Sequence, residues 1–150
     1  MKIFLSKFNF TVLASIFLFF YTSNSDTKSA SIENPDKIEI ENTIQMYFDG
    51  WLTGDTTLIG TAMHSTCKLK TLKNEKVAIY DRSTYLSFFE PRPKLENAEG
   101  RILTIDITGP AASAKVELET AERLFTDYFN LLKEKDRWYI MDKISTNVAK

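Results

Sequence analysis

Cysteine and histidine are nearly missing: the 150 residues contain one of each, with only five glycines and four prolines. One cysteine excludes an intrachain disulfide framework and any site built from several thiolates. One histidine excludes a polyhistidine site. His64-Ser65-Thr66-Cys67 holds two metal-capable side chains without convincing partners, so neither a metal nor a cofactor is expected. Positive charge is not in excess, with 19 basic against 20 acidic residues and a net charge of −1. That balance argues against nucleic acid as the main partner. A glycine-rich phosphate loop, a nucleophile elbow and a paired-cysteine motif are all absent. What remains is an ordinary globular composition, 43% hydrophobic and 26% charged, at the length of one domain.

The averages hide a division near residue 25. Six of the 11 phenylalanines lie in the first 20 residues. Lys2 and Lys7 precede the uncharged run Phe8 to Tyr21, and small polar residues, Thr22-Ser23-Asn24-Ser25, follow it. A positive start, a short apolar core and a small-residue cut site form a secretory signal. The run is shorter than the ~20 residues that span a bilayer. Residues 1–25 are therefore expected to be a signal peptide cut after Ser25, leaving a secreted or periplasmic protein without a transmembrane anchor. Losing Lys2 and Lys7 leaves 17 basic and 20 acidic residues, a net charge of −3. Residues 26–33 are polar and aperiodic, a flexible lead-in. Residues 34–148 read as a single domain, in which Cys67 is expected to be a buried thiol.

Within that domain, Asn34-Pro35 is a helix start, since Asn caps well and Pro suits the first helical position. Ile40, Ile44, Tyr47, Phe48 and Trp51 recur at helical spacing, and Gly54 ends the helix. Asp55 can cap a shorter helix that buries Leu58, Ile59, Ala62 and Met63 and has His64 at its C-terminal end. Residues 67–72 and 77–81 form a hairpin. Ser83 can cap a third helix carrying Tyr85, Leu86, Phe88 and Phe89, which Pro91 and Pro93 stop. A loop over 91–100 leads to four antiparallel strands. In the first of these Leu103, Ile105 and Ile107 alternate with polar residues; the others follow at 112–119, 124–133 and 137–146.

Helices first and an antiparallel sheet after them define an α+β fold. Three N-terminal helices pack on a strongly curved sheet of about six strands, because a twisted sheet of this size curls. Such an arrangement leaves a concave apolar interior of the kind small-molecule sites favour.

Three stretches carry a resemblance to a known superfamily. They are Tyr47-Phe48-Asp49-Gly50-Trp51-Leu52-Thr53-Gly54-Asp55, Ala62-Met63-His64, and Phe125-Thr126-Asp127-Tyr128-Phe129 with Leu131-Leu132-Lys133 and Trp138-Tyr139-Ile140. They resemble the nuclear-transport-factor-2-like, cystatin-like cone proteins, which include ketosteroid isomerase, scytalone dehydratase and the polyketide cyclases. The nearest group is the bacterial family labelled Putative lumazine-binding. The resemblance implies a homodimer formed through the exposed sheet face, and a small-molecule ligand in the cone. It does not by itself give an activity.

Ketosteroid isomerase uses an Asp base and an oxyanion hole of a Tyr and a protonated Asp. By resemblance, its first-helix Tyr falls on Tyr47, and its aromatic wall falls on Phe88 and Phe89. Its base falls at or beside Thr71, where no carboxylate stands. Its protonated Asp falls on Asp127 or Tyr128, since a slip of one residue turns a strand over. Scytalone-dehydratase-type chemistry needs a His–Asp pair, here His64 with Asp127 or Asp106. Asp127 also shares a strand face with Phe125, Phe129 and Leu131, where a carboxylate is costly unless paired. It either meets a partner such as Lys143 or Arg123, or awaits a ligand. Asp142 raises the same question beside Trp138, Ile140 and Ile144.

Three readings follow. The first is an exported binding protein that holds a small molecule against Tyr47, Trp51, Phe88, Phe89, Asp127 and Tyr128. The second is a structural dimerisation module with a filled cone. The third is a lyase or isomerase with Tyr47 as donor, His64 as base and Asp127 as orienting acid.

Overall fold

The computed structural model describes residues 34–150. The expected signal peptide and lead-in lie outside these residues. Helix α1 spans Pro35–Thr53. Asn34 caps it, its side chain accepting from the Asp36 amide at 3.0 Å. Gly54 closes it with φ of 69°, and a Cβ there would lie 1.9 Å from the Glu90 carbonyl oxygen. The helix buries Ile40, Ile44, Tyr47 and Phe48 as its spacing predicts, buries Leu52 in addition, and leaves Trp51 half-buried. Asp36 fastens its first turn to the sheet, accepting from Lys133 Nζ at 2.7 Å and from Trp138 Nε1 at 3.1 Å.

Helix α2, Thr56–Ala62, is capped by Asp55. Strand β1 follows at once as Met63–Lys73, so His64 lies in a strand and not at a helix end. The positive-φ pair Asn74-Glu75 turns the chain into β2, Lys76–Asp81. Helix α3 is only Arg82–Leu86 and is capped by Asp81 instead of Ser83, because the Asp81 carboxylate reaches the Thr84 amide. Phe88 and Phe89 therefore lie beyond the helix. The remaining strands are β3 (Glu99–Thr108), β4 (Ala111–Glu119), β5 (Arg123–Glu134) and β6 (Arg137–Ala149).

All six form one sheet in the order β2-β1-β6-β5-β4-β3. All six strands fall into two antiparallel groups, β1-β2 and β3-β4-β5-β6, and the groups are joined by a parallel pairing of β1 with β6. The expectation of a purely antiparallel sheet fails at that one seam. The helices lie on one face, where Val116, Leu118, Phe129, Leu131, Trp138 and Ile140 join the α1 stripe in a single core. Gly100 brings β3 directly under α1: a Cβ there would sit 2.3 Å from the Phe48 ring.

Of the three register shifts in the sheet, two overturn the expected inward faces. One falls between Ile102 and Thr104 on β3, so Ile102 packs on the core and Leu103 is exposed, against the simple alternation. The other falls between Asn130 and Leu131 of β5, opposite Met141 on β6. The extra residue is a β-bulge. It turns Asp142 and Ile144 away from the Trp138 and Ile140 face and turns Lys143 into the core.

Candidate functional site

A charged cluster sits on the inner face of the sheet where β5 and β6 pass under α1. Asp127 is 2% exposed and Lys143 is 3% exposed. Lys143 Nζ donates to Asp127 Oδ2 at 2.6 Å and to the Tyr47 hydroxyl at 2.5 Å. Ser145 Oγ donates to the other carboxylate oxygen at 2.6 Å. The Tyr47 and Tyr85 hydroxyl oxygens are 2.6 Å apart. The ammonium also lies over the Tyr47, Tyr85 and Phe129 rings, at 4.9, 5.4 and 5.8 Å from their centres.

Each member arrives by a different route. Tyr47 comes from the buried stripe of α1 and Tyr85 from the one buried position of α3. Asp127 comes from regular alternation on β5, and Lys143 from the bulge on β6. Burial alone would lower the Lys143 pKa, but the Asp127 carboxylate and the Tyr85 hydroxyl more than offset it and hold it above the ordinary lysine value. Burial raises both tyrosines as well, so their hydroxyls stay protonated as donors. The cluster is thus an ammonium and two phenols around a carboxylate that is already satisfied at both oxygens.

An aromatic series leads outward from it. Phe89 meets Tyr85 edge-on at 5.1 Å, Trp51 meets Phe89 at 6.3 Å, and Phe125 meets Trp51 at 5.4 Å. Phe88 is 57% exposed and touches Tyr80 and Tyr85 by ring edges. Tyr47, Trp51, Phe88, Phe89 and Asp127 therefore belong to one connected group. Tyr128 does not: it is 48% exposed on the opposite face, next to Lys115. Between the alternatives Asp127 and Tyr128, the structure turns Asp127 inward, because the pairing Asp127↔Ser145 keeps it on the Phe129 face.

The His–Asp pair does not form. His64 Nδ1 lies 2.7 Å from Thr66 Oγ1, Nε2 is 3.6 Å from Glu134, and the ring packs on Tyr139. Asp106, the other acid weighed for His64, stands exposed on β3 opposite Ser113. Of the partners expected for Asp127, Lys143 takes the place, while Arg123 donates to Asn147. Asp142 is paired outside with Lys70 at 2.5 Å. Tyr85 and Ser145 are the members that sequence reasoning missed: the spacing of Tyr85 marks it only as an apolar helix residue, and Ser145 reaches Asp127 only through the cross-strand register.

The expected void at the centre of the inner face is occupied by these side chains. Clefts of about 440, 290, 450 and 500 Å³ lie elsewhere, and none is lined by Tyr47, Trp51, Phe88, Phe89 or Asp127. Among the described residues, no cluster of three His, Cys, Asp or Glu side chains is placed to hold a metal, and no helix is long and apolar enough to cross a membrane.

Helices laid on one face of a six-stranded sheet, with a buried polar group between them, define a protein of nuclear-transport-factor-2-like, cystatin-like fold. Solved structures agree. An NTF2-like protein of unknown function from Shewanella baltica OS155 superposes with a TM-score of 0.70 at 26% identity, over 77% of this chain and 95% of that one. One from Methylobacillus flagellatus KT gives 0.69 at 26% identity with the same coverage. A ketosteroid isomerase-like protein from Erwinia carotovora atroseptica SCRI1043 gives 0.62 at 11% identity, over 78% of this chain and 99% of that one, a likeness of fold alone. No curated protein matches the chain. The chain belongs to the family described as Putative lumazine-binding, which matches residues 35–145.

Proposed function

We propose that the protein is an exported, non-catalytic small-molecule-binding protein whose ligand is read by Lys143 and Tyr47 on the inner face of the sheet. The buried Lys143–Asp127 pair, with two phenol groups turned on it, carries this reading. Apolar side chains of similar volume usually stabilise a core as well as or better than a buried ion pair. A cluster of perturbed titratable groups at such a position is a functional-site candidate. The family's description supports a small heterocycle as the guest. Binding is favoured over turnover because Asp127 is buried as the counter-ion of Lys143 and also held by Ser145, a structural pairing rather than the position of a base facing a substrate.

A guest must displace side chains to enter. That requirement favours, as a second reading, the dimerisation module with a filled interior. It is supported by the outer sheet face, where Tyr128, Ile144, Ile79 and Leu132 are exposed on neighbouring strands. Calorimetry with lumazine separates the two. The binding reading expects a saturable signal from the wild type and at least about a tenfold loss of affinity in Lys143→Met. No signal with lumazine, together with no co-purifying molecule in native mass spectrometry, would leave only the dimerisation module.

A further inference from the structure

The Tyr85 hydroxyl faces two polar groups. It is 2.6 Å from the Tyr47 oxygen, and the Lys143 ammonium lies over the Tyr85 ring, 5.4 Å from its centre. Tyr47 and Lys143 are fixed by the long helix and by the central strand β6. Tyr85 has a shorter support. It projects from a helix of five residues, of which it alone is buried. A helix that short has little stability of its own and depends on its tertiary contacts. Residues 87–98, including Pro91 and Pro93, follow it without a strand or a regular helix. The Tyr85 ring itself lies edge-on between Phe88 and Phe89.

We infer that Tyr85 is an internal plug: its phenol occupies a site for a flat ring bearing a carbonyl or hydroxyl oxygen, and such a ligand binds by expelling it. This rests on the binding reading above and adds the ligand class and the way in. The oxygen must be an acceptor, because the Tyr47 hydroxyl and the Lys143 ammonium are both available as donors to it. The ligand is uncharged at that oxygen, because Asp127 already balances Lys143. The ring replaces the Tyr85 ring between Phe88 and Phe89, which favours an aromatic or conjugated heterocycle. Until the plug leaves, the apparent affinity is reduced by the fraction of molecules in which it is open.

A plug and a wall residue respond oppositely to the loss of the hydroxyl. Tyr85→Phe removes the bond that holds the plug, so it should bind p-cresol and lumazine severalfold more tightly than the wild type. Tyr85→Ala leaves a slot of phenol shape, which should take p-cresol at least about tenfold more tightly than toluene, because a site built around a hydroxyl rejects the analogue without one. Adding Lys143→Met to Tyr85→Ala should erase that preference. If Tyr85→Ala does not fold, Tyr85→Phe against wild type carries the comparison. Wild type binding lumazine with Tyr85→Phe binding it more weakly would overturn the plug and leave the binding reading standing. Equal affinity of Tyr85→Ala for p-cresol and toluene would overturn the oxygen site. Ring compounds bound by none of these proteins would end both proposals.

Discussion

Lys143 is the residue whose position follows least from its chemistry. A lysine on a strand is ordinarily a solvated side chain, yet this one is held under α1 by a carboxylate and a phenol. Removing one partner strands the other as a buried charge, which costs ~3–5 kcal/mol, whereas replacing both with apolar residues is often neutral. Asp127→Asn is therefore expected to lower the urea midpoint sharply, and Asp127→Leu with Lys143→Met to recover most of that loss. Equal losses in the single and double variants would contradict the pairing. Asp127 was legible because its strand mates are all apolar. Alkaline pH is the second expectation at this scale. Burial pushes the Cys67 thiol up to about 12, and Lys143, Tyr47 and Tyr85 are all raised as well. For each of them the unfolded chain loses its proton first, so the stability they contribute is complete below the ordinary values and is lost as pH rises past them. Melting temperature should hold near neutrality and begin to fall above about pH 9, where an exposed thiol ionises. Cys67 should stay unreactive toward a thiol reagent until the protein unfolds.

Elements whose signals are local were readable in advance. Asn34-Pro35 at one end and Gly54 at the other bracket α1, and Asp55 caps α2, because caps depend on neighbouring atoms alone. Elements that depend on a partner strand were not. The bulges on β3 and β6 follow from how registers fit across the sheet, and alternation counted along one strand cannot reveal them. For that reason Leu103 was placed inside and Asp142 on the Trp138 face. Likewise α3 is shorter than its aromatic residues suggest. Gly100 offers the clearest test of element packing. The Phe48 ring fills the space of its missing side chain. Gly100→Ala must push β3 away from α1 and is expected to cost ~1–3 kcal/mol, the usual range for overpacking. Chemical denaturation measures this directly. An unchanged midpoint would mean that Phe48 yields freely.

At the scale of the molecule, helix-first order and a run of strands were enough for the α+β class, because segregation of the two kinds of element leaves few ways to cover a sheet. The filling of the interior was not readable, since it depends on how tightly Tyr47, Tyr85 and Lys143 meet. The outer sheet face supplies the last expectation. Tyr128 and Ile144 are paired across β5 and β6 and are each about half exposed, at 48% and 49%. If that face joins two copies, Ile144→Lys should shift the mass measured by light scattering from twice the chain to one chain. A wild type that is already monomeric at all concentrations would remove the dimer from the proposal.

The seam between β1 and β6 has a consequence in time. Strand β6 is made after the five other strands of this sheet, yet it must slot beside β1, in the middle. Until β6 emerges, the β1-β2 and β3-β4-β5 groups have no shared scaffold, and the lysine at the heart of the cluster is not yet present. Contacts so distant along the chain form slowly. A copy lacking β6 would have no strand at the centre around which the two groups could close.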